Sequence, residues 1–187
     1  SKMREVLHER GKALLQEFNF IVNDEEVERM SRAHSADTVL LSLVPALSRD
    51  GALLKRMLRR LSEITRENLG MLKPLLLAEK VPLLSKKYLL AAATNRKSSA
   101  AMVLEQLGLQ QYFKTVVTSA DAPAKPHPGM LELACRRLGV KHSEAVFVGD
   151  NLEDKQAGEA AGVRTVIVNG ADSASVEAFL REFLLDS

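Results

Sequence analysis

The sequence predicts an α/β protein in two parts: a small helical domain over residues 1–80 and a parallel sheet with flanking helices over residues 81–187. Three observations predict it. Before about residue 80, apolar residues recur only at helical spacing, so that half holds helices and no strands. From about residue 86, short apolar runs alternate with helical stretches, the pattern of βαβ units and a parallel sheet covered on both faces. Finally, 46% of the 187 residues are hydrophobic and the net charge is only +2. That is material enough for a substantial core and a smaller second layer.

In chain order, "SKMREVLHERG" is charged and helix-like, without the apolar run of a signal peptide. "NDEEVERMSRA" predicts a helix start capped by Asn23 or Asp24. "GALLKRMLRRLSEITRENLG" is the clearest helix. Leu53, Leu54, Met57, Leu58, Leu61 and Ile64 form one apolar stripe, Asp50 is the expected N-cap and Gly70 the expected stop. Lys55, Arg56, Arg59 and Arg60 fall on the opposite face and read as a solvated surface. In the second part, the apolar runs are "YLLAAATN", "TVVTSA", "AVFVGD" and "RTVIVNG". Each is followed by a helical stretch: "RKSSAAMVLEQLGL", "PGMLELACRRLGV", "LEDKQAGEAAGV" and "SASVEAFLREFLL". Right-handed crossovers bring the strand C-terminal ends to one edge, where ligands of open parallel sheets bind.

Several function classes drop out on composition. Near-balanced charge gives no electrostatic case for nucleic acid or a membrane surface. No apolar run approaches the roughly 18–20 residues of a membrane span. The single cysteine, Cys135, has no metal-ligand spacing around it and no internal partner. It reads as a core residue in a reducing compartment, so a cytoplasmic location is expected. His8, His34, His127 and His142 are scattered and read as surface or packing residues.

The strand ends carry the chemistry. Thr94 closes the first run, with Asn95 next and Arg96 opening the expected helix. A hydroxyl beside the N–H groups of a helix start makes an anion site, although the same threonine would serve as a plain N-cap. Ser119 follows the second run. Lys125 lies between Pro123 and Pro126, with Pro128 beyond, so its loop is stiff and its ammonium aimed. Asp150 ends the third run and Asp154 follows four residues later. Two carboxylates this close repel unless a cation joins them, and hard oxygen donors suit Mg²⁺. A hydroxyl, a lysine and a carboxylate pair on one sheet edge suit phosphoryl transfer.

These stretches, in this order, resemble the haloacid dehalogenase superfamily of phosphohydrolases and its Rossmann-like core. "AATNR" resembles the second motif of that family, "AKPHPGML" the third and "VFVGDNLEDKQAGEAAG" the fourth. The resemblance is close over about residues 86–170. The helical half resembles, more loosely, the α-helical cap of the subfamily that includes phosphoglycolate phosphatases, which covers the site and selects substrate. The resemblance implies a Mg²⁺-dependent phosphatase acting on a small phosphorylated metabolite. Thr94, Lys125 and Asp150 would then be catalytic, Thr94, Asn95 and Lys125 would contact substrate, and Asp150 and Asp154 would hold Mg²⁺. Metal-free dehalogenases of the family usually lack the Gly-Asp pair present here at 149 and 150. Nothing in the sequence identifies a mutase or a phosphonate hydrolase.

One part of the pattern is absent. The first motif of the family, Asp-x-Asp at the end of the first strand, supplies the nucleophile that becomes an aspartyl-phosphate and the general acid/base. It is not found in this sequence. "LVPALSRDGALL" imitates it, with Ser48 and Asp50 at the two acidic positions, but Pro45 interrupts the strand and a long helix follows at once. In this fold the first strand lies between those expected at 88–93 and 145–149, so the sheet should lack its central strand. Three fillings are expected to compete: an N-terminal piece of roughly 15–20 residues (a strand and its turn), a rearranged sheet, or a strand donated by a partner chain in a dimer. The 187-residue chain alone is expected to be inactive by the aspartyl route. The alternative function is a non-catalytic binding or assembly protein.

Overall fold

The computed structural model describes residues 12–21, 23, 25, 40, 49–69, 76–96, 99–169 and 172–185. The chain divides into two compact units, Ser1–Gly70 and Met71–Ser187. The sequence reading drew this line near residue 80; the 3-10 turn Ala78–Lys80 lies in the second unit.

In the first unit, residues 12–17 are helical and α1 spans Gly51–Leu69. Asp50 caps α1 as expected: its Oδ1 accepts from the Leu53 N–H at 2.9 Å. Such a cap contributes about 1 kcal/mol. The apolar stripe of α1 also packs as its spacing predicts. Met57 is fully buried with Leu14, Leu15 and Leu40, and Leu53, Leu54, Leu58, Leu61 and Ile64 pack around them. Of the basic face, Lys55, Arg56 and Arg59 are exposed, while Arg60 pairs with Glu17 at 3.1 Å. The expected helix at "NDEEVERMSRA" and the imitation motif at Ser48 lie outside the described residues, as do His8 and His34.

In the second unit, α2 (Val81–Lys87) precedes β1 (Leu90–Thr94), and α3 (Ala100–Gln106) leads to β2 (Phe113–Thr118). Then come α4 (Gly129–Leu138), β3 (Val146–Gly149), α5 (Leu152–Ala161), β4 (Arg164–Ile167) and α6 (Ser173–Leu180). Strand and helix alternate as the sequence predicts, and every strand pair is parallel. Ala92 pairs with Val116 and Thr94 with Thr118; Val148 pairs with Val166 and Gly149 with Ile167. Cys135 is a buried, unbonded thiol in α4, and burial pushes its pKa up. Among the described residues no helix is long and apolar enough to cross a membrane.

The sheet is split. β1 pairs with β2 and β3 with β4, and among the described residues no strand joins the two pairs. The pairs nevertheless share their cores. Ala93 and Phe147 pack on the cluster of Leu131, Cys135, Ala157, Ala161 and Val163, and Leu90 and Val148 pack on that of Leu84, Val168, Val176 and Phe179. Each of the five residues of β1 is only half-buried. A strand at the centre of a covered parallel sheet is ordinarily closed off on both faces. Among the described residues β1 and β3 each pair with one strand only.

Two glycines set how closely α5 approaches the strands. A Cβ on Gly149 would stand 2.6 Å from Asp154 Cγ, and one on Gly158 would stand 2.9 Å from Thr165 Cβ. Any side chain there would push α5 off β3 and β4, and with it the carboxylate that opens the helix.

Candidate active site

The C-terminal ends of β1 and β3 meet at one side chain. Lys125 leaves a loop made of turns between β2 and α4, and its Nζ donates to the Ala93 carbonyl at the end of β1 (3.0 Å) and to Asp154 Oδ1 in the first turn of α5 (2.6 Å). Its ammonium also stands 5.3 Å from the ring centroid of Phe147 in β3. Lys125 and Asp154 side chains are 12% and 4% exposed, so this pair is buried. A pair so placed is weakly screened by solvent and salt.

Asp154 is held on every side. Oδ1 takes the ammonium, and Oδ2 accepts from the Asp150 N–H at 3.0 Å. Its own N–H donates to Asn151 Oδ1 at 3.0 Å, the N-cap of α5. Burial works to raise the Asp154 carboxyl. The hydrogen bonds from Lys125 and the Asp150 N–H, with the charge of Lys125, outweigh it and hold the group below the usual carboxylate range.

Asp150 has a different setting. It is exposed at the end of β3, and its Oδ1 accepts from the neighbouring Asn151 Nδ2 at 3.2 Å. It is therefore the carboxylate open to a cation. Among the described residues no group of three His, Cys, Asp or Glu side chains gathers. A small hard cation that keeps most of its waters fits this donor set through Asp150, with Asp154 alongside.

The sequence expected Arg96 to open a helix, with Thr94 beside the free N–H groups. Instead α3 begins at Ala100. The Arg96 N–H turns back onto Thr94 Oγ1 at 3.2 Å, a local turn that competes with helix formation. The Thr94 hydroxyl lies at the strand end. The Asn95 amide is engaged at both ends by the main chain of Lys125. Thr94 ends β1, Asn95, Lys125 and Asp150 lie in the loops after β1, β2 and β3, and Asp154 lies in the first turn of α5.

Sequence reasoning missed one brace. Asp121 accepts from the Thr118 N–H (2.9 Å), the Thr118 hydroxyl (2.7 Å) and Arg137 Nη2 (2.9 Å). Arg137 also donates to the Val116 carbonyl at 3.1 Å. The hydrogen bond from Arg137, followed by those from Thr118, lowers the Asp121 pKa to about 2. This ties the start of the Lys125 loop to β2 and α4. The Thr118–Asp121 spacing is a turn signal that a sequence reader can find; Arg137, 16 residues on, carries no local signal.

The fold and this site define a parallel-stranded α/β protein that manages charge at its strand ends, with the Lys125 ammonium paired to the buried Asp154 and the exposed Asp150 four residues before it. The sequence model of the haloacid dehalogenase-like hydrolase family matches residues 4–168, and the chain belongs to that family. It is 38% identical over 96 residues to pyrophosphatase PpaX of Bacillus cereus strain AH820, a match covering 50% of this chain and 44% of that protein. It is 40% identical over 79 residues to the phosphoglycolate phosphatase of Pectobacterium atrosepticum, covering 41% of this chain and 34% of that one. The matched stretches thus span less than half the length of these curated relatives. The fold is also that of a predicted phosphoglycolate phosphatase from Haemophilus somnus 129PT, at a TM-score of 0.67 and 22% identity, covering 89% of this chain and 79% of that one.

Proposed function

We propose that the protein is a phosphatase that cleaves a small phosphomonoester, with Mg²⁺ held at Asp150 and Asp154 beside it. The observation that carries this reading is the ammonium of Lys125, fixed between the Ala93 carbonyl at the end of β1 and Asp154 at the start of α5, whose other oxygen accepts from the Asp150 N–H. Relatives named as a pyrophosphatase and a phosphoglycolate phosphatase support the choice of phosphate chemistry.

In this reading the phosphate sits at the joined strand ends. Lys125 presents its remaining N–H to a phosphoryl oxygen, and the Thr94 hydroxyl donates to another. When bound, Mg²⁺ supplies positive charge against the phosphoryl oxygens. The buried Lys125–Asp154 pair keeps the ammonium from swinging into water, so little reorganisation is needed as charge moves. The nucleophile comes from a strand seated between β1 and β3 and ending in Asp-x-Asp. Its first carboxylate attacks phosphorus, and the bond from phosphorus to the ester oxygen breaks. The departing alcohol takes its proton from the second aspartate. Water then cleaves the aspartyl-phosphate, releasing phosphate and restoring the carboxylate. The helical unit serves as the cap that selects substrate, and the unbonded thiol of Cys135 suits the cytoplasm.

The test compares the 187-residue chain with the same chain carrying a strand that ends in Asp-x-Asp fused before Ser1. The fused protein should release phosphate from a panel of small phosphomonoesters with Mg²⁺, and the unfused chain should not. Asp150→Asn should weaken Mn²⁺ binding, read by electron paramagnetic resonance, by about tenfold or more, and lower kcat/KM by about a hundredfold or more. A folded fusion that binds Mn²⁺ yet releases no phosphate from any ester would overturn the reading in favour of a binding or assembly role.

A further inference from the structure

Asn95 stands directly after β1, where a free side-chain amide would be a natural phosphate contact. It is not free. Its Oδ1 accepts from the Lys125 N–H at 2.8 Å, and its Nδ2 donates to the Lys125 carbonyl at 3.1 Å. One side chain thus satisfies both main-chain polar groups of a residue 30 positions away. The main chain of Asn95 is tied down in turn: its carbonyl accepts from Ser119 Oγ at 2.9 Å, just beyond the end of β2.

The loop that carries Lys125 is made of turns, so no ladder of strand or helix bonds fixes it. A two-point contact to the N–H and C=O of one residue, on the two peptide units that flank its Cα, fixes that Cα more closely than a single hydrogen bond does. From a Cα held this way, the lysine stem reaches the Ala93 carbonyl and Asp154. A loop free to move by an ångström would leave the ammonium at one partner or the other.

We propose that Asn95 is a positioning residue: by gripping the Lys125 main chain it sets the ammonium between Ala93 and Asp154, and it does not itself hold the phosphate. Lys125 as a phosphate ligand rests on the phosphatase reading; Asn95 as the holder of Lys125 does not.

The test needs no activity. Lysines of the intact 187-residue chain are labelled competitively with acetic anhydride and read residue by residue by mass spectrometry, with the exposed Lys114 and Lys141 as internal references. In the unaltered chain Lys125 should label slowly, being 12% exposed and ion-paired. Asn95→Ala should raise its labelling relative to the references by roughly fivefold or more, the change expected for one lost hydrogen bond or two. Ser119→Ala, which leaves the amide contacts in place, should raise it less and in the same direction. If Asn95→Ala fails to fold by circular dichroism, Ser119→Ala decides. Unchanged Lys125 labelling in the folded variants overturns the proposal. In the fused, active protein Asn95→Ala should lower kcat and leave KM in place; a raised KM with kcat unchanged would return Asn95 to substrate binding. A labelling shift in the 187-residue chain, together with a fused protein that folds but releases no phosphate, would sink the phosphatase reading and leave the role of Asn95 standing.

Discussion

Lys125→Met removes one charge from a pair whose members are 12% and 4% exposed. The methionine fills much the same space, so the loss is electrostatic rather than a cavity. Asp154 is left buried with its Asp150 N–H bond intact and its ammonium gone. Breaking a buried pair in this way costs about 3–5 kcal/mol. The low end applies here, about 3 kcal/mol, because Asp154 also sits in the first turn of α5, where a helix N-terminus favours a carboxylate. The pH dependence carries a sign. In the unaltered chain Asp154 lies below its ordinary 3.8, so its contribution is present above that pH and is lost as pH falls through the depressed folded value. In Lys125→Met, burial is opposed by less and the folded value rises above the unfolded one. The charged carboxylate then costs stability at neutral pH, and acid relieves the cost. The gap between the two proteins should narrow as pH falls, by up to about 1.4 kcal/mol for each pH unit separating their folded values. Urea unfolding followed by circular dichroism at neutral pH and in mild acid measures it. A loss under about 1 kcal/mol at neutral pH, or a gap that widens toward acid, would refute the assignment of Lys125 as the counter-charge of Asp154. Adding Asp154→Asn to Lys125→Met should recover most of the loss, since the lone buried charge is then removed as well.

Two further expectations rest on separate parts of the fold. Gly158→Ala should destabilise the protein by about 1–2 kcal/mol, although alanine ordinarily improves a helix interior, because its Cβ would meet the Thr165 side chain; a urea midpoint that holds or rises would contradict the close approach of α5 to β4. At Asp121, the folded pKa of about 2 lies below 3.8, so the brace contributes above 3.8 and is lost as pH falls through about 2. Arg137→Met should flatten the acid-side fall in melting temperature across that window, and identical acid limbs in the two proteins would rule the brace out.

What the sequence makes legible is local or periodic. The stripe on α1 and its Asp50 cap follow from spacing alone, and so does the alternation of short strands with helices. The family pattern sets a further strand between β1 and β3, and among the described residues none pairs with either there. The site was legible as a set of strand ends and no further. Asp150 and Asp154 read as a repelling pair in need of a cation, and a metal is the natural inference at four residues' spacing. The structure places a different cation on Asp154, the ammonium of Lys125, which lies 29 residues away. No local pattern reports so distant a partner. The Asn95 amide escaped for the same reason: a residue type that suits a ligand also suits a main-chain clamp, and only the fold distinguishes them.

The division of strands into two pairs also bears on how the chain reaches this state. Each parallel pair closes around a single helix, α3 between β1 and β2 and α5 between β3 and β4. The loop-closure entropy of each half is therefore modest, and its contacts are short-range in the chain. Each half can assemble without waiting for the other. What joins them comes later: the shared clusters around Leu131 and Leu84, and Lys125 reaching from one half to the other. Native-state hydrogen exchange should then find two cooperative blocks, with the amides of α5 and β4 exchanging together and those of β1 and β2 in a separate step.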